Sequence, residues 1–498
     1  MTIQSDMALM AAGSYWDVRN GAIDPQNNQD TDNDAPTPTG WKVLTQYDMS
    51  DFGPNASTGL SARVYQNTAT GEVVISYGGT EFNTSSYGLA ADFLNGNMPL
   101  AIGDASAQAL EAAKLYQRVK ADATLSDNIT FTGHSLGGGL ASVMAVWFDR
   151  PAYVFAAAPF QKSADSTQAT TLADIFSLNR ALPNVRFQLG STADPALLNY
   201  NPTTDFAARE ANVKAYAIKG ELLEANFGMF SWIEGSTNPL FTNSAITLSA
   251  GDKHSIDLHV AALLSDTFQT EAGKLPTALE RLMDRTLYGG DVLGNKQVII
   301  TKLIRNEVGV RSDDGTQVLL AANGMLTHFA SDLNKLGTNI AGLNKAAQDA
   351  LIAQGIEWYY WQGTDYAGQE FFTQSGALLQ YTSAIGDGLQ GAQNKAAAYA
   401  KLWLDPMAAA HGAYGVGTTY EQWNVNTGTS AVTATARDAD KSQIFVGQGG
   451  AETFTGGDLG DVIIAGDWAD TLSGGASNDT IYASNGNATN DSDWRVAA

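Results

Sequence analysis

One short stretch, Gly133-His134-Ser135-Leu136-Gly137, puts a serine between two glycines, and two more glycines follow at Gly138 and Gly139. A serine hydroxyl attacks a carbonyl carbon only when a base removes its proton and converging donors receive the negative charge that forms on oxygen. The flanking sequence suits both needs. An apolar run with strand character, Asn128-Ile129-Thr130-Phe131, leads in, and a helix-compatible run from Leu140 to Phe148 leads out. A strand turning this tightly into a helix leaves no room for side chains beside the serine, so glycine is required there. Such a turn holds Ser135 Oγ over the strand end, with the N–H groups of a helix N-terminus beside it.

The base must be a neutral histidine, and the chain has five: His134, His254, His259, His328 and His411. His134, inside the turn, is expected to direct its side chain away from Ser135 Oγ and to serve the structure. His254 lies in Gly251-Asp252-Lys253-His254-Ser255-Ile256-Asp257-Leu258, read as a loop entering a helix, where an imidazole can be delivered over the strand ends. His259 follows as a packed or exposed helix residue, and His328 and His411 lie far downstream. Two acids compete to orient the histidine. Glu221 ends the strand-like run that begins at Asn212, and Asp194 lies in Ser191-Thr192-Ala193-Asp194-Pro195. Loop lengths vary and strand ends do not, so Glu221 is favoured and Asp194 is the alternate acid, either giving the order Ser, acid, His.

The surrounding pattern is that of an α/β fold. An amphipathic helix is expected over Ser5 to Asp17, then a polar loop, a strand at Trp41 to Leu44, and a hairpin of Ser61 to Gln66 and Glu72 to Tyr77 across Asn67-Thr68-Ala69-Thr70-Gly71. Helical spacing over Ala105 to Ala121 suits a crossover before the serine strand, and Ala152 to Pro159 reads as the next parallel strand. A helix from Thr171 to Leu182 belongs to a harder insertion that also holds Val185 to Leu189. The apolar stretch from Phe227 to Phe241 is a candidate acyl-chain wall or lid, with core packing as the default explanation.

At Gly78-Gly79-Thr80-Glu81 the chain resembles the lipase class 3 family of α/β-hydrolases, whose strand-end motif is an aromatic residue, Arg, Gly, then Ser or Thr. This chain has Gly78 where the family usually has Arg. The resemblance implies that Thr80 helps hold the oxyanion, partnered by the N–H of Leu136, and the His254-Ser255 pair resembles the family's catalytic-histidine motif. Asp194 stands at spacings like those of the family.

With 498 residues the chain is expected to form two or three domains. Its 28 basic and 52 acidic residues leave a net charge of -24, which argues against nucleic acid and against attraction to anionic lipid. There is no cysteine, so disulfides and thiol-metal chemistry are excluded. No apolar run approaches transmembrane length, and the N-terminus does not read as a cleaved signal peptide.

The downstream half reads as helix-rich, apart from a strand-like run from Lys296 to Ile304, and holds no catalytic constellation. Near its end four consecutive nonapeptides begin at Gly447, Gly456, Ala465 and Gly474; acids recur at Glu452, Asp461, Asp470 and Asp479, apolar residues at Phe454, Ile463, Leu472 and Ile481. These repeats resemble the RTX family, in which the pattern winds a parallel β-roll around calcium. The resemblance implies calcium ligands from Glu452, Asp461, Asp470 and Asp479 and from the turns at Gly447, Gly450, Gly456 and Gly474. Two repeats make one turn, so Glu452 pairs with Asp470 and Asp461 with Asp479, and stacked carboxylates repel one another until calcium binds. It further implies secretion from a Gram-negative bacterium through a type I apparatus.

The expectation is an α/β-hydrolase domain over residues 1–270, a helix-rich adaptor over 271–435 and a calcium-binding β-roll with a tail over 436–498. The function expected is secreted, calcium-dependent hydrolysis of lipid esters at a lipid–water interface by Ser135, His254 and an acid. The rival is a calcium-dependent adhesin built on an inert hydrolase fold.

Overall fold

A computed structural model describes residues 2–15, 35–49, 58, 60–79, 106–164, 181–227, 237–242, 246–283 and 299–343. It also describes residues 348, 351–352, 355–356, 358–359, 370–372, 420–424, 432–435, 442–446, 452–464, 471–476 and 479–482. The chain divides into two compact units, Met1–Gln269 with Val308–Ala322, and Thr270–Glu307 with Asn323–Ala498.

The first unit is built on a seven-stranded sheet whose strands lie side by side in chain order. These are β1 (Trp41–Val43), β2 (Ala62–Asn67), β3 (Val73–Tyr77), β4 (Ile129–His134), β5 (Ala152–Phe155), β6 (Val213–Ile218) and β7 (Thr237–Leu240). β1 to β3 pair antiparallel and β3 to β7 parallel, so the expected hairpin and parallel strands are present. Period-2 alternation assigns the two faces. Phe131 and Tyr77 point to helices α2 (Ala107–Lys120) and α3 (Leu136–Phe148), where Tyr77 donates to the Ala112 carbonyl and the rings of Tyr116 and Phe131 lie 5.5 Å apart. The neighbouring hydroxyls of Ser76 and Thr132 point the other way and donate to the carbonyls of Met10 and Met7.

Those carbonyls belong to α1 (Ile3–Gly13), which departs from the amphipathic helix expected over Ser5 to Asp17. It starts earlier, through a capping box between Thr2 and Ser5, and is buried from Met7 to Gly13. The reason is that α1 is covered twice: the sheet lies on one side and α8 (Ile256–Leu264) packs on another. In the same unit a short hairpin, β8 (Val310–Arg311) with β9 (Val318–Leu320), guards the sheet edge, because the Asp313 carbonyl accepts from the Val43 N–H of β1 at 2.7 Å.

The insertion after β5 contains α4 (Ala181–Leu189) and α5 (Pro195–Asn199), so Val185 to Leu189 is helical, while Thr171 to Arg180 lies outside the described residues. In the second unit the strand-like reading of Lys296 to Ile304 is overturned. Ile299–Val308 is a helix, α9, whose β-branched residues fall on a buried face at helical spacing; α10 (Met325–Asn339) follows. Further on, strands β10 (Tyr420–Asn424), β11 (Val432–Thr435), β12 (Ser442–Val446), β13 (Glu452–Thr455), β14 (Val462–Ile464), β15 (Thr471–Ser473) and β16 (Thr480–Tyr482) alternate between two wholly parallel sheets. The register sets Phe454 beside Leu472 and Ile463 beside Ile481, two repeats on in each case. Among the described residues this ladder begins at Tyr420, upstream of the first nonapeptide.

Candidate active site

β4 enters α3 through Ser135, whose backbone lies at φ 57° and ψ -125°. A non-glycine residue held there costs on the order of 1–3 kcal/mol, and the neighbours over-determine it. The Ser135 N–H donates to the Phe155 carbonyl at 3.0 Å, and the Ser135 carbonyl accepts from Gly139 and Ala158 at 3.1 and 2.9 Å. A Cβ on Gly133 would run into the Gly137 backbone, and one on Gly137 into the Tyr77 carbonyl, so the glycines are steric requirements of the turn. Because the turn opens α3, the Leu136 N–H is one of the helix's first amides, which lack an intrahelical acceptor.

His254 is the last residue of a short helix, α7 (Ala250–His254), capped by Ser249, rather than a loop residue as expected. The Ser249 hydroxyl accepts from the Asp252 N–H and so nucleates that turn. His254 Nε2 lies 2.9 Å from Ser135 Oγ, and its Nδ1 lies 2.5 Å from Glu221 Oε2. Glu221 follows β6 through Gly220, at φ +76°, and opens α6 (Leu222–Phe227). Its two carboxylate oxygens accept from the N–H groups of Leu223 and Glu224 at 2.9 and 2.8 Å, which keeps one oxygen aimed at the imidazole. Ser135, His254 and Glu221 are 4, 5 and 1% exposed, so their hydrogen bonds act in a site largely closed to water.

Partner chemistry assigns the tautomers. A carboxylate only accepts, so His254 carries its proton on Nδ1 and leaves Nε2 to accept from Ser135. His134 Nε2 faces the His254 carbonyl oxygen at 2.6 Å and must donate to it; its Nδ1 accepts from the Tyr15 hydroxyl at 2.8 Å. His259 Nδ1 donates to the Ser255 carbonyl at 2.8 Å. His259 is completely buried, and burial pushes its pKa down to about 4.

Asp194 sits elsewhere. It caps α5 through Ala196 N–H and accepts from the Tyr116 hydroxyl at 3.0 Å and the Lys120 ammonium at 2.7 Å. Burial pushes its carboxyl up, but these bonds, led by that from Lys120, hold it net below the usual carboxylate range. Its partners already account for it.

Thr80 lies outside the described residues, as do the residues 228–236 of the candidate wall or lid. The strand leading to Thr80 does lie beside the turn, because Tyr77 of β3 pairs with Gly133 of β4. The side-chain space at Gly78 is already filled: a Cβ there would come within 2.8 Å of Ser61 Cβ and 3.0 Å of the Ser14 carbonyl. Tyr15 escaped the sequence reading altogether, since nothing local links it to residues more than a hundred positions away.

Among the repeat residues, Asp461 N–H donates to Asp479 Oδ1 at 2.9 Å across a separation of 18 residues, and Gly457 N–H donates to Asp461 Oδ2 at 2.8 Å. A Cβ on Gly456 would strike both Asp461 Oδ2 and the Gly474 carbonyl oxygen, and one on Gly474 would strike Asp479 Oδ2. Asp470, Gly447 and Gly450 lie outside the described residues, and of Glu452 only the backbone is described. Among the described residues no three acidic or histidine side chains gather closely enough to hold a metal by themselves. Nor is any helix among them long and apolar enough to cross a membrane.

A strained serine, an imidazole and a carboxylate in hydrogen-bonded series at the ends of parallel strands is an arrangement suited to acyl transfer. Residues 6–229 match the family model of the Tle-like phospholipase domain. This match supports a lipase-like hydrolase. The match includes Ser135, Asp194 and Glu221 and ends before His254. Among solved structures the chain is similar to the Lip2 lipase from Yarrowia lipolytica at 13% identity, over 46% of this chain and 73% of that one, with a TM-score of 0.24. No curated protein matches the chain.

Proposed function

We propose that this protein is a secreted, calcium-dependent serine hydrolase that cleaves carboxylic esters of phospholipids. The observation that carries the reading is the series Ser135 Oγ, His254, Glu221, at 2.9 and 2.5 Å. Ser135 Oγ attacks the ester carbonyl carbon while His254 Nε2 takes its proton, and Glu221 steadies the imidazolium. The Leu136 N–H, with Thr80 as its partner, receives the charge on the carbonyl oxygen. Collapse of the tetrahedral intermediate breaks the ester bond, and His254 returns the proton to the departing alcohol. Water, activated by the same imidazole, then releases the fatty acid from Ser135.

The repeats are read as a calcium-binding β-roll. The donor set suits that hard cation, because Asp461 and Asp479 converge with glycine carbonyls at turns too close for a side chain. Calcium would supply the positive charge that stacked carboxylates need, with Glu452, Asp470 and the turns at Gly447 and Gly450 completing the series. Folding on meeting external calcium fits passage through a type I apparatus of a Gram-negative bacterium, and the absence of cysteine agrees.

The test is fatty-acid release from phosphatidylcholine vesicles and from a triacylglycerol emulsion, with and without calcium, beside Ser135→Ala. Release from phospholipid that needs both Ser135 and calcium is expected. No release from either substrate by the calcium-loaded protein would favour an inert, adhesive protein, and equal release after chelation would remove the calcium dependence.

A further inference from the structure

The proposed mechanism leaves a half-buried chain of contacts unused. It runs from Tyr15, just past the end of α1, to His134 in the turn, and on to the backbone of His254. Tyr15 OH lies 2.8 Å from His134 Nδ1, His134 Nε2 lies 2.6 Å from the His254 carbonyl oxygen, and the two imidazoles are 4.7 Å apart between ring centres. The strand end has been cleared for it. A Cβ on Gly79 would overlap the Tyr15 hydroxyl and come within 2.6 Å of the His134 carbonyl oxygen, so residue 79 must be glycine for Tyr15 to reach the imidazole. Met10 and Met7 carbonyls of α1 are tied to β3 and β4 by Ser76 and Thr132, which fixes the element from which Tyr15 projects.

We propose that His134 is a positioning residue for the base: its Nε2–H grips the backbone carbonyl of His254, and Tyr15 holds its ring from the other side. The proposal rests on the reading of Ser135 and His254 as nucleophile and base. Its physical basis is that α7 has five residues, too few to hold its own last residue rigidly. The Glu221 bond orients the imidazole of His254, but the Cα from which that imidazole swings needs a second anchor. A misplacement of about 1 Å in a reacting group costs about 10²-fold in rate. His134 thereby joins the nucleophile's turn to the base's main chain through a single side chain.

The experiment compares His134→Leu, His134→Gln and Tyr15→Phe in the full chain, each confirmed folded by a cooperative melt. Leucine keeps the bulk and removes the donor; glutamine keeps an N–H at a similar reach. His134→Leu is expected to lower kcat about 10- to 100-fold with KM within about twofold. His134→Gln should recover most of the loss, and Tyr15→Phe should lose about 3- to 10-fold. Side-chain bulk alone predicts the reverse ranking, leucine tolerated and glutamine not. A leucine variant within twofold of wild type in kcat, or a glutamine variant no better than leucine, overturns the proposal. If His134→Leu does not fold, Tyr15→Phe carries the test, and wild-type kcat there overturns it. If the wild type hydrolyses no ester, the catalytic reading fails, and positioning is read instead from the His254 Nδ1 proton in ¹⁵N-histidine spectra. That signal should broaden in His134→Leu and Tyr15→Phe; its persistence unchanged in both overturns the proposal.

Discussion

Around Ser135 the hydroxyl, the imidazole and the carboxylate form one hydrogen-bonded series, whereas at Asp461 and Asp479 the carboxylates accept from the Asp461 and Gly457 N–H groups beside glycine turns that leave no room for a side chain. Folding alone completes the first region, and the strain at Ser135 is offset by the sheet and helices that close over it. The second region sets carboxylates beside tight glycine turns, and under the proposed reading calcium would complete it. On the proposed reading the two regions respond to different injuries, and four losses of decreasing size test the comparison.

The largest is Ser135→Ala. Ester hydrolysis should fall by at least about 10⁴-fold, while calcium binding, followed by titration calorimetry, stays as in the wild type. A loss under tenfold would break the comparison at its first member. Next comes the acid. Glu221→Gln should cost about 10³-fold in kcat, because the amide no longer stabilises the imidazolium. Asp194→Ala should leave kcat within about threefold and instead remove about 1–3 kcal/mol of stability, through a lost cap and lost bonds to Tyr116 and Lys120. Kinetics beside denaturant melts would show the two variants exchanging roles if Asp194 were the acid. Calcium removal is third. Chelation should make residues 440–485 sensitive to protease, and calcium at about 100 times its dissociation constant stabilises by about 2.7 kcal/mol. Asp461→Asn with Asp479→Asn should abolish that protection; digestion indifferent to calcium would contradict the calcium reading of the repeats.

Legibility in the sequence followed the range of the interaction that fixes each part. The turn at Ser135, the hairpin across Asn67 to Gly71 and the strand ending before Glu221 are set by local sterics and period, and the sequence carries both. The burial of α1 was hidden because it depends on α8, some 250 positions away, and residues such as Ala8, Ala11 and Ala12 suit either a covered or a half-covered helix. The strand-like run Lys296 to Ile304 misled through its isoleucines, whose β preference yields when one face of Ile299–Val308 is buried at helical spacing. Asp194 and Glu221 looked alike as acids between serine and histidine. Only tertiary structure showed Lys120 and Tyr116 occupying the first and His254 bonded to the second. Tyr15 had no local signature of any kind.

The smallest loss concerns a buried imidazole near the site with one unmatched nitrogen. His259 is fully buried, its Nδ1 is bonded to the Ser255 carbonyl, and its Nε2 has no partner among the described residues. Burial, reinforced by nearby His254 and opposed by the Ser255 carbonyl and Glu221, holds its pKa at about 4 against 6.5 in the unfolded chain. The unfolded state therefore takes up the proton first as pH falls. The stability tied to neutral His259 is fully present above about pH 6.5 and is lost as pH drops toward 4. The loss should reach about 2 kcal/mol at about pH 5, above the range in which most carboxylates titrate. Urea melts of the amino-terminal unit's transition at pH 7.5 and 5.0 measure it, and His259→Leu should remove most of the difference because no proton can then enter. A pH dependence unchanged by that substitution would mean that His259 already finds a partner for Nε2.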